Sequence, residues 1–114
     1  MENLDRMSRS ELLEYVTIHT NELDLLVALA EEAAELSKAA LKLARARKYV
    51  NHPTPVQSDQ AFKDLVEEYT DVKLCVDALA IDYDPDLLQK KTLRWAKRLE
   101  RAAEEQKELS LIHI

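Results

Sequence analysis

Glycine is absent from all 114 residues. It is the residue that supplies the left-handed backbone of tight turns and bulges, so a chain without it is poorly suited to β-rich or α/β architecture. Proline occurs three times and cysteine once. A lone Cys75 leaves no intrachain disulfide and no cysteine-based metal site. No stretch approaches the roughly 18 uncharged apolar residues of a membrane span, and the opening MENLDRMSRSELL has no apolar signal core. Basic excess is missing too. The formal net charge of −6 argues against binding a nucleic-acid polymer, whose phosphates need a basic face. It leaves room for a small anionic ligand held through a metal. These absences predict a soluble, cytoplasmic protein that does not engage a membrane.

The residues that are present are strong helix formers. Ala, Leu, Glu and Lys dominate, and they favour the helix in the absence of other constraints. Periodicity and caps predict four helices. The first spans about Ser8 to Ile18, with Ser8 and Glu11 placed for a capping box. The second runs from Thr20 or Asn21 to about Tyr49, where NHPTPVQ (residues 51–57) stops it. The third covers about Ser58 to Ile81. The fourth follows Asp84, as N-cap, and Pro85, and reaches about Leu109. Nothing resembles an interdomain linker. The expected fold is all-α, a single domain over residues 1–114 with a four-helix bundle-like core of long antiparallel helices.

Two acidic segments stand out inside apolar runs. Glu31, Glu32 and Glu35 lie in EEAAELSKAA, and Glu67, Glu68 and Asp71 lie in EEYTDVKLCV, offset by 36 positions. The offset extends to apolar neighbours: Leu29, Leu36, Ala40 and Leu43 correspond to Leu65, Val72, Val76 and Leu79. At about 100° per residue, Leu29, Ala33, Leu36, Ala40 and Leu43 form one stripe. Glu32 then falls at its edge, Glu35 flanks it on the same side, and Glu31 faces solvent. Glu68, Asp71 and Glu67 repeat that pattern. Four carboxylates therefore lean inward from two neighbouring helices: Glu32, Glu35, Glu68 and Asp71. Like charges at this spacing repel, and an unpaired buried carboxylate costs several kcal/mol. One such pair would be an ordinary solvated flank, offset by Lys38, Lys42 or Lys73. Two in register call for hard divalent cations, Mg²⁺ above all, which binds carboxylates together with substrate phosphates. A di-iron site is disfavoured because neither segment carries the histidine of Glu-x-x-His.

Glu31-Glu32-x-x-Glu35 followed by Glu68-x-x-Asp71 resembles the EExxE…ExxD signature of the all-α nucleoside triphosphate pyrophosphohydrolases, the MazG-like superfamily. AEEAAELSKAA, LVEEYTDVKLCVDAL and KKTLRWAKR fit the surroundings, and the likeness covers roughly residues 20 to 100. The 32 residues between Glu35 and Glu68 form a long separation, which the NHPTPVQ connection would absorb. The resemblance implies hydrolysis of a nucleoside triphosphate to the monophosphate and pyrophosphate. It implies Mg²⁺, with Mn²⁺ as a substitute, held by Glu32, Glu35, Glu68 and Asp71. Lys91 and Arg98 look like the basic residues that end the family's motif and meet the phosphates. Arg94 stands where that motif more often has asparagine.

On the fourth helix, Lys91, Arg94, Arg98 and Arg101 recur at spacings of 3, 4 and 3, which places four cations on one face. Arginine's fork suits phosphate oxygens and lysine supplies a point charge; the same face also fits an ordinary solvated surface paired with Glu100, Glu104 and Glu105. Trp95 reads as core or subunit interface, Cys75 as a small buried hydrophobe, and Tyr69 as filling between the arms. His19, His52 and His113 read as structural. Within the same superfamily a phosphoribosyl-ATP pyrophosphohydrolase is an alternative; from another class, a non-enzymatic helical interaction protein. Four long helices leave an apolar face uncovered, which predicts a homodimer or homotetramer.

Overall fold

The computed structural model of the chain describes residues 3–48 and 56–112. The expected second-helix end at Tyr49, most of NHPTPVQ, His52 and His113 lie outside the described residues. Secondary structure within them is entirely helical: a short 3-10 turn at Leu4–Arg6, then α1 (Arg9–His19), α2 (Glu22–Lys48), α3 (Val56–Ala78) and α4 (Pro85–Ile112). The all-α expectation holds. No helix among the described residues is long and apolar enough to cross a membrane. Two compact units divide at Ile81 and Asp82.

Local chemistry sets the helix ends. Ser8 Oγ accepts the Glu11 amide and Glu11 Oε1 accepts the Ser8 amide, both at 3.2 Å, closing the predicted capping box. Asn21 Oδ1 accepts the Asp24 amide at 2.8 Å, so α2 begins where expected. Asp84 Oδ1 accepts from the Asp86 and Leu87 amides, and Pro85 opens α4 as predicted. Two boundaries differ from expectation. Val56 and Gln57 belong to α3 rather than to the connection, and α3 stops at Ala78, short of Ile81. There the Ile81 amide donates to the Val76 carbonyl and the Ala80 amide to that of Asp77, with Ala80 at φ 55°. This is a Schellman stop whose left-handed residue is usually glycine.

Within the first unit, α2 and α3 are antiparallel. Arg47 lies over the Phe62 ring at 5.7 Å, Lys42 meets Asp64 at 3.6 Å, and Glu32 approaches Glu68 and Asp71, so rising numbers on one helix meet falling numbers on the other. The seam follows Leu25, Leu29, Glu32, Leu36, Ala39, Leu43 and Ala46 on α2, all buried or partly buried. Its counterpart is Ser58, Ala61, Leu65, Glu68, Val72 and Cys75 on α3, with Leu79 just past its end. Alternating steps of 3 and 4 are the heptad of a paired helix. The stripe expected from sequence is thus rotated: Ala33 and Ala40 are exposed, and Ala39 is buried. A two-helix contact buries only the narrow line facing the partner, and α3 selected the line through Glu32. The buried set is small, namely Ala39, Leu43, Ala61, Cys75 and Ala78. Tyr69 is exposed rather than packed between the arms. α1 packs against α3, where Arg9 reaches Asp77, which also accepts from Lys73.

The second unit is α4 with its N-cap. None of its described residues is buried, and Trp95 is 63% exposed.

Candidate metal centre

The heptad geometry that builds the hairpin also builds the acidic site. Glu32 and Glu68 occupy seam positions on opposing helices, one in each arm, and Asp71 follows Glu68 by three residues on the same side of α3. One carboxylate oxygen from each of Glu32, Glu68 and Asp71 lies within 4.8 Å of the others, and all three residues are partly buried. Glu35, the fourth acid of the expected set, is exposed, and its Oε1 accepts from Lys38 Nζ at 3.5 Å. Glu31 and Glu67 face solvent as expected. Lys91, Arg94 and Arg98 lie along α4 in the second unit, all exposed.

Electrostatics mark Glu68. Desolvation raises its pKa first, and the charges of Asp71, Glu32, Glu35 and Glu67 add to the rise. Cys75, further along the α3 seam beyond Val72, has its thiol pushed up by burial and then by Glu32 and Asp71. That keeps it protonated and unreactive, in line with its reading as a small hydrophobe. Asp77 moves the other way: the hydrogen bond from Lys73 lowers its pKa most, desolvation opposes that in part, and Arg9 lowers it further.

The lysines that could have neutralised the acidic cluster are engaged elsewhere. Lys38 pairs with Glu35, Lys42 with Asp64 and Lys73 with Asp77. No ion pair among the described residues engages Glu32, Glu68 or Asp71. Oxygen-only donors fit a hard cation. At a metal–oxygen distance of about 2.1 Å, ligands on one Mg²⁺ lie up to about 4.2 Å apart, so a modest rotamer adjustment from the 4.8 Å limit would bring the three oxygens to one ion.

Sequence reasoning did not single out Asp77, whose partner Arg9 is 68 residues away; no local pattern reports such a pair. His19 stacks on Tyr15 with ring centroids 3.9 Å apart and bonds the Tyr15 carbonyl through Nδ1, the structural role expected of it. An open hollow at the α1–α2 junction is lined by Thr17, Thr20, Asn21 and Leu25 among others. Thr17 and Thr20 donate to carbonyls of α1, and Asn21 caps α2, so the hollow offers little for a ligand to bond. Compared with protein-family models, curated proteins and solved structures, the chain finds no match.

Proposed function

We propose that this chain is an Mg²⁺-dependent nucleoside triphosphate pyrophosphohydrolase, with Mn²⁺ able to substitute. The observation that carries the proposal is the trio Glu32, Glu68 and Asp71, converging from two helices while the neighbouring lysines pair with other acids. Its likeness to the EExxE…ExxD pattern supports the substrate class. Glu35 sits one turn from Glu32 and joins the set by releasing Lys38, an exposed pair that costs little to break.

A bound divalent ion would neutralise phosphate charge and make a coordinated water more acidic. The chain's own residues do the rest. Glu32, Glu68 and Asp71 would hold the ion through one carboxylate oxygen each. A carboxylate of the set accepts the proton of the water that replaces the bridging oxygen at phosphorus, so that the α–β phosphoanhydride breaks to monophosphate and pyrophosphate. By the likeness to that motif, Lys91 and Arg98, with Arg94 between them, are the candidates to meet the phosphates. The exposed stripe Phe62, Val66 and Tyr69 on α3, at one-turn spacing, supports assembly as a homodimer or homotetramer. The same stripe is what favours the second reading, a helical interaction protein.

The test is pyrophosphate release from a panel of ribo- and deoxynucleoside triphosphates, with Mg²⁺ and with chelator, followed by phosphoribosyl-ATP. Metal-dependent release from a triphosphate that is lost in Asp71→Ala is the expected result. Activity confined to phosphoribosyl-ATP would reassign the substrate. Absence of release from every compound, with no metal-induced thermal stabilisation, would leave the interaction protein.

A further inference from the structure

The hairpin of α2 and α3 has two unlike flanks. At about 100° per residue, Glu35 lies about 80° to one side of the α2 seam, and Asp71 lies about 80° to one side of the α3 seam in the same sense. In an antiparallel pair, equal turns in one sense arrive on one flank. Lys42 and Asp64 fall there by the same count, and they meet across the helices at 3.6 Å. Phe62, Val66 and Tyr69 fall on the other side of α3. The acidic trio is therefore bordered on one flank by Glu35, Lys38 and Lys42 of α2 and by Asp64 of α3. Among the lysines around the trio, Lys38 is the one whose partner belongs to the expected metal set. Its Nζ lies 3.5 Å from Glu35 Oε1, whereas Lys42 is held by Asp64 and Lys73 by Asp77. Lys38 and Glu35 are both exposed, so their pair is weak and exchanges readily.

We infer that Lys38 changes partner as the site fills: it neutralises Glu35 while the site is empty, and meets a phosphate oxygen of the metal-bound nucleotide once Glu35 turns to the ion. This exchange rests on the Mg²⁺ reading of Glu32, Glu68 and Asp71. Charge balance drives it. A carboxylate that ligates a divalent cation has its charge neutralised there, so Lys38 loses its attraction to Glu35 and is repelled by the ion. A polyphosphate returns negative charge to the same flank, beside an ammonium carried on a flexible four-carbon stem. Lys38 therefore opposes the bare ion and favours the ion together with phosphate. The two ligands then bind with positive coupling, each raising the affinity for the other.

Isothermal titration calorimetry on the full-length chain tests this without turnover, using Mg²⁺ alone and then inorganic tripolyphosphate in excess Mg²⁺. Lys38→Met keeps most of the stem and removes the charge. It should tighten Mg²⁺ alone by about two- to fivefold, the worth of an exposed ion pair. The same variant should weaken Mg²⁺–tripolyphosphate by about tenfold or more, the worth of a hydrogen bond to a charged group. Lys38→Arg should return both affinities toward wild type. In a Glu35→Gln background Lys38→Met should no longer tighten Mg²⁺, because the competition runs through Glu35. Lys42→Met, whose partner Asp64 lies outside the set, should change Mg²⁺ affinity by less than about twofold. A Lys38→Met chain that binds both ligands as wild type does, or loses affinity for both together, would overturn the exchange and leave the metal centre standing. So would a wild type that binds Mg²⁺ but not Mg²⁺–tripolyphosphate. A wild type that binds no Mg²⁺ would remove the metal centre and the exchange with it.

Discussion

At Glu68 the fold works against a single carboxylate. Its pKa is raised in the folded chain by desolvation, with Asp71, Glu32, Glu35 and Glu67 adding to the rise. The folded state therefore favours the neutral form. That contribution to stability is fully present below the ordinary value of 4.5 and is lost as pH rises through the higher folded value. At neutral pH the charged group weakens the hairpin. Glu68→Gln should accordingly melt higher than wild type at neutral pH in chelator, with the difference closing below the ordinary carboxylate range. With Mg²⁺ added the order should narrow or reverse, because only wild type gains the full stabilisation of a ligand bound to the folded state. Equal melting temperatures at neutral pH in chelator would contradict the electrostatic account. The acids themselves were visible in the sequence, as was their lean from two neighbouring helices; that Glu35 stays exposed while Glu32, Glu68 and Asp71 come together was not.

At the scale of the element, helix starts were legible because side chains write them. Ser8 with Glu11, and Asp84 with Pro85, state a start in local chemistry, and the structure places both. The end of α3 was not legible, because Ala80 occupies a left-handed position that sequence assigns to glycine or asparagine. The Cβ there costs about 1 kcal/mol, held in place by the Ile81 and Ala80 amide bonds to Val76 and Asp77. Ala80→Gly should therefore stabilise the chain by about 0.5–1 kcal/mol, seen as a higher denaturant midpoint with an unchanged slope. A lower midpoint would mean that the flexibility glycine adds to the unfolded chain outweighs the relief.

For the helical unit as a whole, Asp77 ties α1 to α3 through Arg9. Its pKa is lowered in the folded chain, chiefly by the hydrogen bond from Lys73 and further by Arg9. The sign is opposite to that of Glu68. Its contribution is present above the ordinary value of 3.8 and is lost as pH falls through the lower folded value. Acidification from neutral should therefore first relieve Glu68 and only afterwards release Asp77. Asp77→Asn should lower the melting temperature at neutral pH and flatten the fall at the acid end. A melting curve in which wild type and Asp77→Asn fall in parallel below pH 3.8 would show that the α1–α3 tie contributes little.

The sequence by itself determined that the chain is helical, because its lack of glycine and its wealth of Ala, Leu, Glu and Lys leave no economical alternative. It also determined where α1, α2 and α4 begin, since capping is a contact between residues two to four positions apart. Tertiary structure alone decided which line of α2 is buried. Ala33 and Ala40 belong to as good an apolar stripe as Ala39 on an isolated helix, and only the position of α3 chooses between them. That choice moved Glu32 from the edge of a stripe into the seam opposite Glu68. The acidic motifs were therefore readable as a pattern, while the cluster they form depends on the rotation of one helix about its axis, which no single helix encodes.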